Sequence, residues 1–575
     1  TGSGVGVLLV VGTGQPGLTA TVVDNANNVP NASILVVNGN GSGGGTFTQS
    51  TTGDALGEFY LNGGQVTLAG TTGNLESAVV AAPSAIPASI TILAGGTYGL
   101  ARTGVAAGYN VFNAFAGAGA AAGNELTVNG TLLAGTTGSG FTVQKIGAGT
   151  LTLTGAVANT FTEPTTVLEG ALVLAKTAAV NALTGTLVVG AFGPGAAVRA
   201  GSNFNNLNTA QPVIVNAGGT FDISGATAAQ SVSNLDLRGG TVTTGTNTLN
   251  VGGTVTAVTA STTGTTVVGN TLAGLVNLTA NTTFNVIDSG AVTGLTIPAT
   301  ISGGAAVTVT KGGAGTLTLN PTGGNTYAGP TTVSTGTLLL NATGGAAVAG
   351  NLVVGDSLGG QGAAKADVVR LLAANQLAGG TGVTVNNSGL LDLNGFSNTI
   401  GASQFNALTL AGGTVATGSG TLTLSGNVAG LAAAANMTPG TITGNLNLGG
   451  LTRTFDVAAG ALAAFNPNAT LPSANDLVVT AVVGNGGLTK VNAGRLQLSG
   501  VNTYTGPTTV NAGTLLVDGS LAAGSATAVN AGELPFEGAH VRHLGVDLGN
   551  DEVGVLGHPA ELARHLVELG ARDAH

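Results

Sequence analysis

Lys311 Gly312 Gly313 Ala314 Gly315 Thr316 Leu317 Thr318 Leu319 Asn320, continuing through Asn325 Thr326 Tyr327 Ala328 Gly329 Pro330 Thr331 Thr332 Val333 to Gly336 Thr337 Leu338 Leu339 Leu340 Asn341, is a phrase the chain spells three times. An earlier copy runs from Lys145 through Gly149 Thr150 Leu151 Thr152 Leu153 to Pro164 Thr165 Thr166 Val167 and Gly170 Ala171 Leu172 Val173 Leu174. A later one runs from Lys490 through Gly494 Arg495 Leu496 Gln497 Leu498, then Asn502 Thr503 Tyr504 Thr505 Gly506 Pro507 Thr508 Thr509 Val510 and Gly513 Thr514 Leu515 Leu516 Val517. In each copy the Gly that opens the second run stands six residues after the Pro. A spacing held three times is a repeat, and repeats decide the architecture before any local pattern does.

Each copy holds alternating Leu/Thr/Val runs separated by a Gly/Asn/Pro turn, which predicts short strands with one apolar face. Such a strand cannot bury its face alone. Stacking one unit on the next buries a continuous core and pairs the backbone of each coil with its neighbours. The expected fold is therefore a β-solenoid, with Gly and Asn at the corners supplying left-handed backbone and stacked hydrogen-bonded side chains.

The same residues resemble the autotransporter-associated β-strand repeat, also called the passenger-associated transport repeat: Lys, Gly-x-Gly-Thr-Leu-x-Leu, Asn-Thr-Tyr-x-Gly-Pro-Thr-Thr-Val, Gly-Thr-Leu. One departure is Phe161, which stands where the other copies have Tyr327 and Tyr504. The resemblance implies a bacterial surface or secreted protein, a right-handed parallel β-helix, and repeats that aid outward transport without catalytic residues of their own.

Composition agrees with a turn-dense, core-forming chain. Among 575 residues there are 100 Gly, no Cys, no Trp and one Met, with 43% hydrophobic and 7% charged residues. Collagen is excluded because the glycines have no period of three, and disorder is a poor fit to so apolar a chain. A net charge of −10 without a basic stripe argues against nucleic-acid binding. No apolar run approaches the roughly 18 residues of a spanning helix, so no membrane span is expected in this chain. It opens at Thr1 without Met, which suggests a processed N-terminus or a fragment.

Five regions are expected: an irregular N-terminal β region or cap (1–140), a first β-helix unit (141–306), a second (307–485), a truncated third (486–532), and a charged tail (533–575). Within the first, Tyr109 to Ala122 reads as a loop or short helix closing the end of the solenoid. The first two β-helix units echo each other beyond the signature: Val213 to Gly225 answers to Val383 to Gly395, and Leu235 to Val242 answers to Leu408 to Val415. The tail carries all five histidines. Residues 541–548 and 552–556 suggest a hairpin, and a helix is expected from Pro559, so the fold class is all-β with a small α/β C-terminal tail or cap.

No catalytic constellation is visible. Asp222 and Asp392 look like a pair, yet they occupy matching places in two repeats, which makes them structural equivalents. The lysines that open the copies, Lys145, Lys311 and Lys490, are expected in solvent at coil corners, where charge discourages edge pairing. The remaining signature positions, Gly149, Pro164, Gly170, Gly315, Pro330, Gly336, Gly494, Pro507 and Gly513, read as structural. His540, His543, His558 and His565 are the nearest approach to a metal cluster, but they lack Cys partners and a defined spacing, so no metal or other cofactor is expected.

The reading is a non-catalytic β-helical passenger, at the bacterial cell surface or secreted, acting as a stalk or adhesin. Its expected partners are surface glycans, other cells or its own copies, together with outer-membrane export machinery. The alternative is a self-assembling subunit of an extracellular filament, sheath or surface layer. A polysaccharide-active enzyme ranks lower, since its carboxylate cluster is missing.

Overall fold

The computed structural model describes the strands between residues 7 and 113, and residues 114, 126–134, 141–190, 195–201, 207, 211–262, 266–287, 294–356, 366–401, 406–431, 438–460, 475–532, 534 and 546–548. The chain divides into two compact units, residues 1–302 and 303–575. Each is a parallel β-solenoid, and no helix occurs among the described residues.

In the first unit one face is built by a strand from every turn. Phe141–Ile146 is followed by Thr165–Val167, Leu187–Val189, Val213–Asn216, Leu235–Arg238 and Val255–Val258, each parallel to the last. The opposite face stacks Thr150–Gly155, Gly170–Lys176, Ala196–Ala200, Gly219–Asp222 and Thr241–Val251 in the same way. Successive turns are thus about 22 residues apart, within the usual solenoid range. Ala260–Thr262 and Thr266–Val268 form an antiparallel hairpin apart from both faces.

The second unit repeats the plan. Val309–Gly312, Thr331–Val333, Leu352–Val354, Val383–Asn386 and Asn406–Ala411 make one face. Thr316–Leu319, Thr337–Leu340, Asp367–Leu371, Gly389–Asp392 and Thr414–Leu424 make the other.

Period-two alternation explains the core. In Thr165–Val167 the outer residues are buried and Thr166 is half-exposed, and the same pattern recurs in Leu187–Val189, Thr331–Val333, Leu352–Val354 and Thr508–Val510. Stacking in register turns this alternation into columns. Val167, Val189, Val215, Leu237, Ala257 and Val286 lie one above another in the first unit, all fully buried. Burying each Val or Leu contributes about 1.5–3 kcal/mol, and β-branched residues suit the pleated surface.

One expectation changes here. Gly108–Asn113 is a strand in the stack, paired with Phe141–Ile146 on one side and, through Val111–Asn113, with Ser77–Val79 on the other. Phe112, taken for part of a closing loop or helix, is buried in the core. The small residues after Phe112 obscure a run that alternates Tyr109, Val111, Asn113 against Asn110, Phe112, which is a strand period. The N-terminal strands Val7–Val11, Ser33–Asn38, Ala55–Asn62 and Thr72–Val80 pair in parallel in sequence order, with a register shift between Ser33 and Ile34. In the tail, Val546–Leu548 pairs in parallel with Thr527–Val529; the remainder of the expected hairpin and helix lies outside the described residues.

Candidate functional site

The three signature lysines share one environment. Each follows an apolar residue and an outward residue in its strand, as in Val143-Gln144-Lys145 and Val309-Thr310-Lys311, so parity turns it into the core. Lys145 is 1% exposed, Lys311 and Lys490 0%. The expectation of solvated corner lysines is therefore overturned. Lys145, Lys311 and Lys490 sit at positions paired with Val167, Val333 and Val510 of the next turn.

A buried ammonium needs acceptors, and backbone carbonyls supply them. Lys145 Nζ donates to the carbonyls of Ile146 at 2.8 Å, Gly147 at 2.6 Å and Glu169 at 3.1 Å. Lys311 Nζ donates to Gly312 at 2.9 Å, Gly313 at 2.7 Å and Thr335 at 2.8 Å. Lys490 Nζ donates to Val491 at 2.8 Å, Asn492 at 2.6 Å and Ala512 at 3.1 Å. In each case two acceptors belong to the lysine's own turn and one to the next. The lysine thus staples consecutive turns. Burial pulls Lys490 down to about 8, partly offset by the charges of Asp456 and Asp476.

The signature glycines complete the same device. Gly170, Gly336 and Gly513 have φ of 64°, 77° and 70°, in the left-handed region. A Cβ on Gly170 would stand 2.4 Å from Gly147 O, one on Gly336 2.6 Å from Gly313 O, and one on Gly513 2.5 Å from Asn492 O. Those are carbonyls that the lysines hold, so glycine is required on two counts. Gly149 O accepts from Ala171 N at 3.1 Å, Gly315 O from Thr337 N and Gly494 O from Thr514 N, both at 3.3 Å. The prolines mark the other corner, where the carbonyls of Pro164, Pro330 and Pro507 accept from Val143, Val309 and Leu488.

Behind that corner the asparagine and aromatic residue point inward. Asn325 Nδ2 donates to Ala347 O at 2.7 Å, and Asn502 Nδ2 to Ser520 O at 3.0 Å, each reaching the following turn. Tyr327 and Tyr504 are fully buried, and each hydroxyl lies 2.8 Å from a threonine hydroxyl, Thr331 or Thr508. Burial raises both phenols to about 12, with the threonine bonds opposing.

Arg453, which belongs to no repeat signature, is a further interior cation. It is 6% exposed and donates to the carbonyls of Leu448, Ser425 and Leu424 at 2.8–3.0 Å. Its strand, Thr-Arg-Thr-Phe-Asp-Val, alternates inward at Arg453, Phe455 and Val457, and that parity is the signal for it.

The acids are mostly engaged in the scaffold. Asp222 Oδ1 accepts from Ser224 N at 2.9 Å and Asp392 Oδ1 from Asn394 N at 2.8 Å, so the two play the same turn-closing part in their respective units. Arg370 bridges Asp392 at 2.8 Å, and Arg238 bridges Asp236 at 2.6 Å. Burial pushes the Asp367 carboxyl up, opposed by a Ser388 bond and reinforced by Asp356. A cavity of about 550 Å³ in the second unit is lined by small and neutral residues such as Ala342, Thr343, Asn375 and Thr399, with no acid or histidine. Among the described residues no group of three His, Asp or Glu side chains is placed to hold a metal, and His540, His543, His558 and His565 lie outside them.

Residues 143–174, 309–340 and 488–517 match the family model of the passenger-associated-transport-repeat. The chain carries three copies of this repeat. The matched stretches contain the staple lysines, the left-handed glycines, the corner prolines and the buried aromatics described above. Each passenger-associated transport repeat is therefore a two-turn step of the solenoid whose marked residues hold one turn to the next. No curated protein and no solved structure matches the chain.

Proposed function

We propose that the chain is a non-catalytic β-helical passenger of the autotransporter type, displayed on or released from a bacterial surface, where it acts as stalk or adhesin. The observation that carries this reading is that the signature lysines, asparagines and tyrosines are spent inside the fold, bonded to backbone or to a neighbouring threonine. A repeat so built serves to latch turns together as the chain folds outside the cell. The outward faces, rich in half-exposed Thr such as Thr166, Thr332 and Thr509, suit many weak contacts with glycans, other cells or further copies.

The test is display. The chain is placed between a secretion signal and a translocating β-barrel in a Gram-negative host, and surface accessibility is read with external protease and antibody. Folded chain outside the cell supports the passenger reading, and Lys311→Met is expected to lower the amount displayed. Retention of the wild-type chain in the periplasm despite a working barrel would count against it.

A further inference from the structure

Unit 1 contains a buried lysine that the other repeat copies lack. Lys176 closes the strand Gly170–Lys176 and is 1% exposed, as is Asn159 at the neighbouring corner. Its Nζ lies 2.8 Å from Gly130 O, 2.9 Å from Thr154 O and 3.1 Å from Asn159 Oδ1. That same oxygen accepts from the Leu132 N–H at 3.0 Å, and Asn159 Nδ2 donates to Ala182 O at 2.8 Å. Donors on one side and an acceptor on the other fix the orientation of the carboxamide. The matching corners hold Asn325 and Asn502, but Ala342 and Gly519 occupy the place of Lys176.

We propose that Lys176 and Asn159 join in an intramolecular isopeptide bond once this unit has folded. Burial lowers the amine to about 8, which leaves a minor share of it neutral at neutral pH. When the ammonium gives up a proton to bulk water, two N–H groups remain to satisfy Gly130 O and Thr154 O, and the lone pair takes the place of the N–H that faced Asn159. Nζ attacks Cγ, and the Leu132 N–H, already on Oδ1, holds the negative charge that develops there. A proton passes from Nζ to Nδ2, the Cγ–Nδ2 bond breaks, and ammonia leaves. One carbon–nitrogen bond forms and one breaks, with no change of oxidation state. Fixed contact in a water-poor interior supplies the proximity that the same reaction lacks between free molecules. The bond closes a covalent ring within one coil, and it does not depend on the passenger reading.

Intact-mass measurement of the folded wild-type chain tests this directly. The expected result is a mass lower than the sequence by one ammonia, and a tryptic peptide spanning residues 146–199 that resists cleavage at Lys176 after denaturation. The Lys176→Arg variant and chain kept denatured since synthesis should show the full sequence mass. Full mass in the folded wild type overturns the proposal. So does a lost ammonia accompanied by normal cleavage at Lys176, because that would place the loss at another amide.

Discussion

The hydroxyl of Tyr327 lies 2.8 Å from the hydroxyl of Thr331, with both residues inside the second unit. Tyr504 and Thr508 repeat the pair at the same distance. In the first copy Phe161 stands in the tyrosine's place, and Thr165 Oγ1 is buried without a hydrogen-bond partner. One substitution has thus orphaned one polar atom, and the structure records the cost at the position where the repeat departs from its own pattern.

Restoring the bond should stabilise the first unit. Phe161→Tyr is expected to add about 1 kcal/mol, and Tyr504→Phe to remove a similar amount, because a buried hydroxyl gains its partner or loses it. Urea denaturation monitored by amide exchange in residues 143–174 and 488–517 separates the two effects.

The same tyrosines predict a base-labile window. Their folded values near 12 exceed the ordinary value of 10, so above pH 10 the unfolded chain releases protons that the folded chain retains. Stability from these groups is complete below pH 10 and is lost as the pH rises toward 12. Denaturation midpoints taken across that interval should fall in wild type and fall less in Tyr504→Phe.

Lys490 gives the opposite slope at lower pH. Burial holds its folded value at about 8 against an ordinary 10.5, so between these limits the unfolded chain keeps a proton the folded chain has released. Stability should therefore rise with pH across this window, by at most about 1.4 kcal/mol per pH unit. Lys490→Met should flatten the rise, which a urea series from pH 7 to 10 would show.

Glycine at the staple is a steric requirement. Gly336→Ala places a Cβ 2.6 Å from Gly313 O at a φ of 77°, and is expected to cost about 2–3 kcal/mol. Limited proteolysis should then cut between residues 320 and 345 sooner than in wild type. Gly379→Ala, whose added Cβ meets nothing within 4 Å, is the control and should leave the rate unchanged.

Much of this was legible in the chain. Thr331-Thr332-Val333 and its two sister runs announce a three-residue strand with its middle residue outward, and the spacing of Pro330 and Gly336 fixes the turns that join them. The equivalence of Asp222 and Asp392 was equally plain, because they occupy matching places in Val213 to Gly225 and Val383 to Gly395, and each accepts from the N–H two residues on. Lys311 was misread because charge was weighed before parity: its place in Val309-Thr310-Lys311 points inward, and only the carbonyls of Gly312, Gly313 and Thr335 make that burial tolerable. Those carbonyls converge through turn geometry that no residue type encodes by itself. Lys176 and Asn159 lay further out of reach, since their contact depends on the stacking of turns that bring Gly130 and Thr154 alongside.

The lysine is the bond between turns, and amide hydrogen exchange in Lys311→Met is the decisive measurement. Methionine keeps the unbranched apolar stem but leaves three carbonyls without their donor, at about 1–3 kcal/mol for each buried group. Ser334 and Thr337, whose amides bond across this step, should lose protection by at least about tenfold while Thr452–Val457 keeps its own. Unchanged protection at Ser334 and Thr337 would contradict the lysine's part in joining the turns.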